Sequence, residues 1–279
     1  MSNKIFDFSA EYGIILDNKN VFEYGGLKMA VCNIISHRGA NKIAPQNTLP
    51  AFRKSIDFHA DGFETDVHLT FDGVPVICHN YTIDETSDGK GLITTKTLDY
   101  LKTLDFGSYF HRAYKGTRIP TLEEFLSLCE KANLKVLNIE IKPPKNGDYT
   151  AVPKTIEMVK AHGLFDRLLV SSFDPIALTT CKDVDADCKT GFLYSPNSPH
   201  FLRILGKEVD FAKCIGADAL HPYLWLVDKR LVDEAHKNGM AVNPWTVNKE
   251  SDIKRLVKLG VDGVITDVPN FAREVIEKI

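Results

Sequence analysis

Residues 62–70 read Gly62-Phe63-Glu64-Thr65-Asp66-Val67-His68-Leu69-Thr70, and this stretch predicts a β-strand with two different faces. Residues two apart point to the same side of a strand, so Glu64 and Asp66 face one way. The apolar side chains of Phe63 and Val67 face the other way, where we expect a layer of helices. The strand therefore predicts a sheet that is covered by helices on one side and carries carboxylates on the other.

Short β-branched segments of this kind recur along the chain. We predict seven further strands, at Val31-Ser36, Val136-Lys142, Leu168-Phe173, Thr190-Tyr194, Ala219-Tyr223, Ala241-Val247 and Gly263-Thr266. Amphipathic helical segments alternate with the strands, at Thr48-His59, Leu122-Ala132, Thr150-His162, Ile176-Asp183, Phe201-Cys214, Lys229-Asn238, Ser251-Leu259 and Asn270-Ile279. Eight strand-then-helix units predict a parallel α/β fold, a single closed (β/α)8 TIM barrel. An open doubly wound sheet is the alternative, and it is disfavoured because its usual Gly-rich phosphate loop is missing.

The first interruption of the alternation lies at the start of the chain. Residues 1–30 precede the first barrel strand, so we predict an N-terminal extension and a barrel domain of residues 31–279. Within the extension, Tyr12-Leu16 and Val21-Tyr24 flank the turn-forming segment Asp17-Asn18-Lys19-Asn20. This pattern predicts a hairpin or a loose extension that lies on the barrel.

The second interruption is an insertion of about residues 71–121, between the second strand and its helix. It begins with the turn Phe71-Asp72-Gly73, continues with a strand at Val74-His79 and then becomes rich in Thr, Asp and Gly. Loops that follow barrel strands build the active-site face. We therefore expect the insertion to shape the mouth of a substrate site.

Composition narrows the function classes without naming one. The chain has 279 residues, close to the roughly 250 of a typical TIM barrel. With 34 Lys and Arg against 37 Asp and Glu, the net charge is −3, which argues against a nucleic-acid-binding surface. The sequence contains no signal peptide and no run of about 20 apolar residues, so we expect a cytoplasmic protein without stable membrane insertion. Six scattered cysteines without a CxxC pair indicate reduced thiols, and the oligomeric state stays open.

Charged residues gather where the predicted strands end, which in a parallel barrel is the active-site end. Glu64 and Asp66 point inward from the second strand, and Glu140 points inward from the third. Carboxylates inside a barrel are costly unless they are neutralised, and a hard divalent cation such as Mg²⁺ or Ca²⁺ does this with oxygen ligands. The alternative is an internal network of salt bridges, including a buried ion pair between Glu140 and Lys142.

Two histidines and two cationic side chains accompany these acids. His37 and Arg38 follow the first strand, Lys142 shares the inward face of Glu140, and His79 ends the strand inside the insertion. A histidine can transfer protons near neutral pH, and an arginine can hold a phosphate in a bidentate fork. The combination suits phosphoester chemistry.

At this point the sequence resembles the glycerophosphodiester phosphodiesterase family, from about residue 34 to residue 279. The motifs that carry the resemblance are His37-Arg38-Gly39, Pro45-Gln46-Asn47-Thr48, Gly62-Phe63-Glu64-Thr65-Asp66-Val67, Thr70-Phe71-Asp72-Gly73, His79-Asn80, Ile119-Pro120-Thr121-Leu122-Glu123-Glu124, Asn138-Ile139-Glu140-Ile141-Lys142, Ser172-Phe173-Asp174, Trp245-Thr246-Val247-Asn248 and Gly260-Val261-Asp262-Gly263-Val264-Ile265-Thr266-Asp267 with Pro269. Each motif alone is weak, but their order along the chain is highly specific.

The resemblance implies a role for each candidate residue. It implies one divalent cation, Mg²⁺ or Ca²⁺, held by Glu64, Asp66 and Glu140, and proton transfer by His37 and His79. It also implies that four residues bind the substrate, namely Arg38, Lys142, Phe173 and Trp245. Arg38 and Lys142 would lie near the phosphate, while the two aromatic residues would line the pocket, with ordinary packing as their alternative.

The implied reaction is hydrolysis of glycerophosphodiesters, such as deacylated phospholipid headgroups, to glycerol 3-phosphate and an alcohol, in glycerol and lipid metabolism. The glycerol 2-hydroxyl would attack phosphorus as His37 removes its proton and His79 protonates the leaving alcohol. Water would then open the cyclic phosphate with the roles reversed. The alternatives are a related phosphodiesterase acting on a lysophospholipid or another headgroup, and a non-catalytic barrel that binds a phosphate ligand.

Two positions depart from the family pattern. Gln46 stands where the family usually has Glu, and Asn80 stands where it usually has Asp. Each replacement removes a negative charge and changes the donor and acceptor pattern while keeping the side-chain size. We expect activity to survive, because the cation ligands and both histidines are retained, with an altered substrate preference or pH dependence.

Overall fold

Eight parallel strands with alternating helices form a nearly closed barrel in the computed structural model, which describes residues 21–24, 27–30, 32–145, 147–199 and 201–279. The strands in chain order are β1 (Val21–Tyr24), β2 (Leu27–Ala30), β3 (Asn33–His37), β4 (Gly62–Leu69), β5 (Pro75–Ile77), β6 (Val136–Ile141), β7 (Leu168–Ser172), β8 (Lys189–Tyr194), β9 (Ala219–Pro222), β10 (Ala241–Val242) and β11 (Gly263–Thr266). The barrel order is β10-β9-β8-β7-β6-β4-β3-β11. Apart from β5, strands that follow one another in the chain from β3 to β10 therefore lie side by side, and β11 lies beside β3. The predicted TIM barrel is confirmed.

The barrel closes between its seventh and eighth strands through irregular backbone. We predicted a strand over Ala241–Val247, but regular pairing stops at Val242, shortly before Pro244, which has no N–H to donate. Backbone hydrogen bonds nevertheless cross the seam, from the Asp262 N–H to the Val242 carbonyl at 3.0 Å and from the Val247 N–H to the Ile265 carbonyl at 2.9 Å.

Helices cover the outside of the barrel. They are α1 (Leu49–Asp57), α2 (Leu98–Thr103), α3 (Leu122–Cys129), α4 (Ala151–Ala161), α5 (Pro175–Val184), α6 (Phe201–Ile204), α7 (Glu208–Cys214), α8 (Lys229–Lys237), α9 (Glu250–Leu259) and α10 (Pro269–Ile276). The helix predicted over Phe201–Cys214 is divided into α6 and α7, because Gly206 between them adopts a φ of +75° that does not continue a right-handed helix. The short helix α2 lies in a stretch for which we predicted only a loop.

The two faces of β4 have the predicted character. Phe63 is fully buried on the helix side and packs against Phe52 of α1 and Phe125 of α3, with ring centroids 5.3 and 6.1 Å away. On the other face, the register pairs His37 with Glu64 across β3 and β4, and Asp66 with Glu140 across β4 and β6. This register is what brings the charged side chains together.

The chain between β4 and α3 has a small apolar core of its own. Its strand β5 pairs antiparallel with β4 and is shorter than the predicted Val74–His79. Val76, Ile83, Leu101 and Phe106 pack together there. A capping box begins α3: Thr121 Oγ1 accepts from the Glu124 N–H, and the Glu124 carboxylate accepts from the Thr121 N–H at 2.8 Å.

Near the start of the chain, the structure describes one antiparallel pair of strands. Val21–Tyr24 pairs with Leu27–Ala30, and we predicted a hairpin of Val21–Tyr24 with Tyr12–Leu16. That segment, and the turn at residues 17–20, lie outside the described residues. The boundaries of the extension, the barrel domain and the insertion stay predictions.

A histidine joins two neighbouring helices on the surface, and it makes stability depend on pH. His162, which follows α4, contacts the Glu130 carboxylate through Nδ1 at 2.6 Å and the Glu123 carboxylate through Nε2 at 3.1 Å. Burial would lower the pKa of His162, but the hydrogen bonds to the two carboxylates outweigh it and raise that pKa above 6.5. The raised pKa in the folded state stabilises the fold at low pH, and this contribution is lost as the pH rises through the raised value.

We therefore expect His162→Gln to lower the melting temperature more at about pH 5.5 than at about pH 8.5, measured against wild type by calorimetry. Glu157→Gln, an exposed change on the same helix, is the control and should show no such pH dependence. Equal losses for His162→Gln at both pH values would contradict this interpretation.

Candidate active site

Three buried carboxylates meet at the carboxyl ends of β4 and β6. Glu64, Asp66 and Glu140 each offer an oxygen, and these oxygens lie within 4.8 Å of one another. All three side chains are almost completely removed from solvent. Such a set of oxygen donors fits a hard divalent cation.

Two cationic side chains contact this cluster. Lys142 Nζ lies 2.6 Å from Asp66 Oδ1 and 2.7 Å from Glu140 Oε1, so the predicted ion pair with Glu140 is present and extends to Asp66. Arg38 Nε lies 3.6 Å from Asp66 Oδ2, too far for a hydrogen bond, and has no hydrogen-bond partner among the described residues. Another nitrogen of the Arg38 guanidinium donates to Gln46 Oε1 at 2.7 Å. Gln46 therefore orients an arginine that keeps a free donor.

The charges in the cluster do not balance within the protein. Burial first, and then the charges of Asp66 and Glu140 against the opposing Arg38 and Lys142, raise the pKa of Glu64 well above its usual value. Burial and the Asp66 charge, opposed by Lys142, raise the pKa of Glu140 to about 7. Burial would also raise the pKa of Asp66, but Lys142 and Arg38 outweigh it and lower that pKa. A bound cation would supply the missing positive charge, so the residues present fit one.

The first histidine is held by a carboxylate. His37 Nδ1 lies 2.6 Å from Asp267 Oδ1, and its Nε2 lies 3.9 Å from Glu64 Oε2. Asp267 is fixed in turn by the side-chain amides of Asn41 and Asn248, which donate at 2.6 and 2.7 Å. The pKa of His37 is lowered by burial and by Arg38, while Asp267 opposes this shift.

His37 ends β3, and the turn that follows begins at Arg38 with an unusual backbone conformation. Arg38 has a φ of +56°, a region that non-glycine residues rarely adopt. Its N–H donates to the Glu64 backbone carbonyl at 2.9 Å and to Glu64 Oε2 at 3.0 Å, which holds the turn against β4. Backbone strain of this kind is typical of functional sites.

The second histidine is held by an amide. His79 Nδ1 lies 2.6 Å from Asn80 Oδ1, and Asn80 Nδ2 donates to Glu85 Oε2 at 2.6 Å. Burial, Lys142 and Arg38 lower the pKa of His79 to about 4, against the opposing charge of Asp66. The structure thus places both predicted histidines beside the acidic cluster, each with Nδ1 already engaged.

Two cavities lie at the site, one at each histidine. One, of about 510 Å³, is lined by His79, Glu140, Lys142 and Phe173. The other, of about 380 Å³, is lined by His37, Arg38, Gln46 and Tyr109. Both volumes lie in the range of small-molecule sites.

The two predicted aromatic residues are in contact, and Phe173 lines one of the two cavities. Phe173 faces the larger cavity, and its ring stands edge-on to that of Trp245, with centroids 5.5 Å apart. The Trp245 indole N–H donates to the His221 carbonyl at 2.8 Å, and its ring also contacts Tyr223. Trp245 therefore packs against Phe173, and its role in substrate binding stays a prediction.

Sequence reasoning missed the residues that orient the histidines. Asp267 was quoted only as part of a motif, and Asn41, Asn248 and Glu85 were given no role. Asp267 directly follows the eighth barrel strand, so the rule that active sites form at strand ends could have found it. Glu85 lies in a loop without such a signal.

The comparisons with known proteins agree with this geometry. Residues 37–271 match the model of the glycerophosphoryl diester phosphodiesterase family. The chain belongs to this family. The protein is therefore an enzyme, a phosphoric diester hydrolase, as predicted. The matched residues include the acidic cluster and both histidines.

Individual relatives are similar over nearly their whole length. A glycerophosphodiester phosphodiesterase of Caldanaerobacter subterraneus is 36% identical over 245 residues, which cover 88% of this chain and 98% of the relative. Another from Bacillus altitudinis is 32% identical over 254 residues, covering 88% and 98%. Among solved structures, an Oleispira antarctica phosphodiesterase in complex with the product sn-glycerol-3-phosphate has a TM-score of 0.81 and 30% identity, over 88% of this chain and 96% of that one.

In the part of the chain that the structure describes, every helix is too short or too polar to cross a membrane.

We expect Mg²⁺ or Ca²⁺ to raise the melting temperature of the wild-type protein, because a cation that binds only the folded state stabilises it. The stabilisation should reach about 2.7 kcal/mol when the free cation exceeds its dissociation constant about 100-fold. Glu64→Gln and Glu140→Gln should each reduce the shift, since each removes a ligand charge. Glu123→Gln, outside the cluster, is the control. A shift of equal size in all four proteins would show that the cation acts elsewhere.

Proposed function

We propose that the protein hydrolyses glycerophosphodiesters to glycerol 3-phosphate and an alcohol, by proton transfer between the substrate and two histidines. The observation that carries this proposal is the position of His37 and His79 beside one acidic cluster, each with Nδ1 held by a hydrogen bond. The product complex of the Oleispira antarctica relative supports glycerol 3-phosphate as the product.

Glu64, Asp66 and Glu140 would hold one divalent cation, Mg²⁺ or Ca²⁺. When bound, such a cation withdraws charge from a phosphoryl oxygen and makes a nearby hydroxyl more acidic. Lys142 is already engaged by Asp66 and Glu140, so we assign it to keeping these carboxylates ionised and to attracting the phosphate. Arg38 would donate its free Nε–H to a phosphate oxygen.

His37 is suited to act as the general base. Its Nδ1–H donates to Asp267, which leaves Nε2 as the atom that accepts the proton of the glycerol 2-hydroxyl. The Asp267 carboxylate then stabilises the imidazolium that forms. The 2-hydroxyl oxygen attacks phosphorus and forms a cyclic phosphate, and because the nucleophile belongs to the substrate, its effective concentration is high.

His79 is suited to act as the general acid on the opposite side. In the first step it acts as the imidazolium, protonated on both ring nitrogens, and gives its Nε2 proton to the leaving alcohol oxygen as the bond from that oxygen to phosphorus breaks. In the second step, His79 removes a proton from water, the water oxygen attacks phosphorus, and His37 returns its proton to the glycerol 2-oxygen. Both histidines end in their starting states, and one water is consumed.

A second candidate substrate is a lysophospholipid. Trp225 is about three-quarters exposed, and its ring contacts Tyr223, which contacts Trp245 and thereby Phe173 in the larger cavity. This row of aromatic rings leads from the surface to the site and could contact an acyl chain.

Turnover of glycerophosphocholine, glycerophosphoethanolamine, glycerophosphoinositol and a lysophospholipid, measured in parallel with Mg²⁺ and Ca²⁺, distinguishes the two candidates. Binding of all these compounds without turnover would indicate the non-catalytic alternative.

The central test replaces the histidines. We expect His37→Ala and His79→Ala each to lower kcat on a glycerophosphodiester by at least about 100-fold, the lower end of what acid or base catalysis contributes. The shift in melting temperature caused by the cation should remain in both variants. His236→Ala, at the opposite end of the barrel, is the matched control. Full turnover by the His37→Ala, His79→Ala double variant would overturn the proposed chemistry.

A further inference from the structure

The two histidines of the site are oriented by different chemical groups. Asp267 presents a carboxylate to His37, and both carboxylate oxygens accept hydrogen bonds but cannot donate them. Asn80 presents an amide to His79, and an amide has one end that accepts and one that donates. The orientation of His37 is therefore secured by its partner alone, whereas that of His79 depends on which way the Asn80 amide points.

The direction of the Asn80 amide decides which nitrogen of His79 carries a proton. With Oδ1 toward the imidazole, Nδ1 must be protonated, and Nε2 is the ring nitrogen that remains for the substrate. With the amide reversed, its NH₂ group would face Nδ1, which would then have to be an unprotonated acceptor. In that arrangement, His79 could neither carry two protons as the acid nor use Nε2 as the base.

Glu85 removes this ambiguity. Its Oε2 lies 2.6 Å from Asn80 Nδ2, and a carboxylate at neutral pH has only acceptor atoms. Reversing the amide would bring two acceptor oxygens together at this distance, with a lost hydrogen bond and electrostatic repulsion. Glu85 thus favours the amide orientation that presents Oδ1 to His79.

The loop that carries Glu85 is held in place by its own contacts. Ile83 is completely buried, and its N–H donates to the Gly91 carbonyl at 3.1 Å. Asp84 accepts from the Gly91 N–H at 2.7 Å, and Ser87 Oγ donates to the Ile83 carbonyl at 2.8 Å. The backbone at Glu85 is therefore held in place, although the Glu85 side chain is exposed.

We propose that Glu85 is a positioning residue for the reaction, acting through Asn80 to keep His79 protonated at Nδ1 and available at Nε2. The inference rests on the function proposed above for His79. It also explains how the site tolerates Asn at a position where the family usually has Asp: the carboxylate stands one hydrogen bond further from the imidazole.

The first test measures the tautomer in the resting protein, so it does not depend on turnover. In ¹⁵N NMR spectra of the neutral imidazole, we expect wild-type His79 to be protonated at Nδ1. Glu85→Gln should give a mixture of the two tautomers, because a glutamine amide can pair with Asn80 in either orientation. Asp99→Asn, which removes the same charge from an exposed side chain at the start of α2, should leave the tautomer unchanged. An unchanged tautomer in Glu85→Gln would overturn the inference.

The second test uses kinetics in two backgrounds. With Asn80 present, Glu85→Ala should lower kcat by about tenfold, the usual order for losing an outer hydrogen-bond partner, with little change in KM. In an Asn80→Asp background, the same replacement should cause no loss, because a carboxylate needs no orienting partner. It should even restore activity, since it relieves the repulsion between two adjacent carboxylates. The Asp99→Asn control should leave kcat within about twofold of wild type.

The outcomes separate this inference from the proposed function. An equal loss of kcat in both backgrounds would mean that Glu85 does not act through Asn80. A change confined to KM, and dependent on the alcohol of the substrate, would assign Glu85 to substrate binding in the larger cavity instead. If His79→Ala keeps full turnover, the proposed role of His79 fails, whereas the NMR result still reports whether Glu85 sets the tautomer.

Discussion

Repulsion among the buried carboxylates of Glu64, Asp66 and Glu140 is the constraint on which the rest of the site depends. The register between β4 and β6 places Asp66 opposite Glu140, so the barrel cannot form without bringing these charges together. Lys142 enters the cluster with most of its charge buried, and Arg38 approaches from the turn after β3. These two cationic groups offset two of the three formal negative charges, and burial, together with the neighbouring carboxylates, raises the pKa values of Glu64 and Glu140. Three oxygen donors beside an arginine whose Nε has no hydrogen-bond partner among the described residues fit a cation and a phosphate together.

The histidines extend the same principle to proton transfer. Both lie in surroundings that disfavour their charged forms, since burial and nearby cationic groups lower both pKa values. A carboxylate opposes that tendency at His37, which becomes positively charged when it acts as the proposed base. At His79 the direct partner is neutral, and an imidazolium with a neutral partner gives up its proton more readily. The difference between Asp267 and Asn80 thus matches the difference between a base and an acid, although both histidines exchange roles in the second step of the proposed reaction.

The sequence was sufficient for the barrel and for the residues that carry charge. Alternation of strands and helices is a local pattern. The period of two along β4 assigns Phe63 and Glu64 to opposite faces of the sheet from the sequence alone. Contacts that depend on loop geometry could not be predicted from the sequence pattern. The pairing of β1 with β2, the break at Gly206 and the early end of β10 are set by backbone conformation and by tertiary hydrogen bonds rather than by hydrophobic period. The partners of the histidines were missed for the same reason, because Asp267 is 230 residues from His37 in the chain and Glu85 reaches His79 only through Asn80.

The hydrogen bond between His37 and Asp267 also joins the beginning of the barrel to its end. β3 and β11 are the first and last barrel strands in the chain, and they pair in parallel. Asp267 directly follows the last barrel strand, so the three acids, the lysine and both imidazoles all precede it in the chain. The hydrogen-bond partner of His37 is therefore the last of these residues to be synthesised. The same bond ties the reactive centre to the seam between β10 and β11, the part of the barrel held by the least regular pairing.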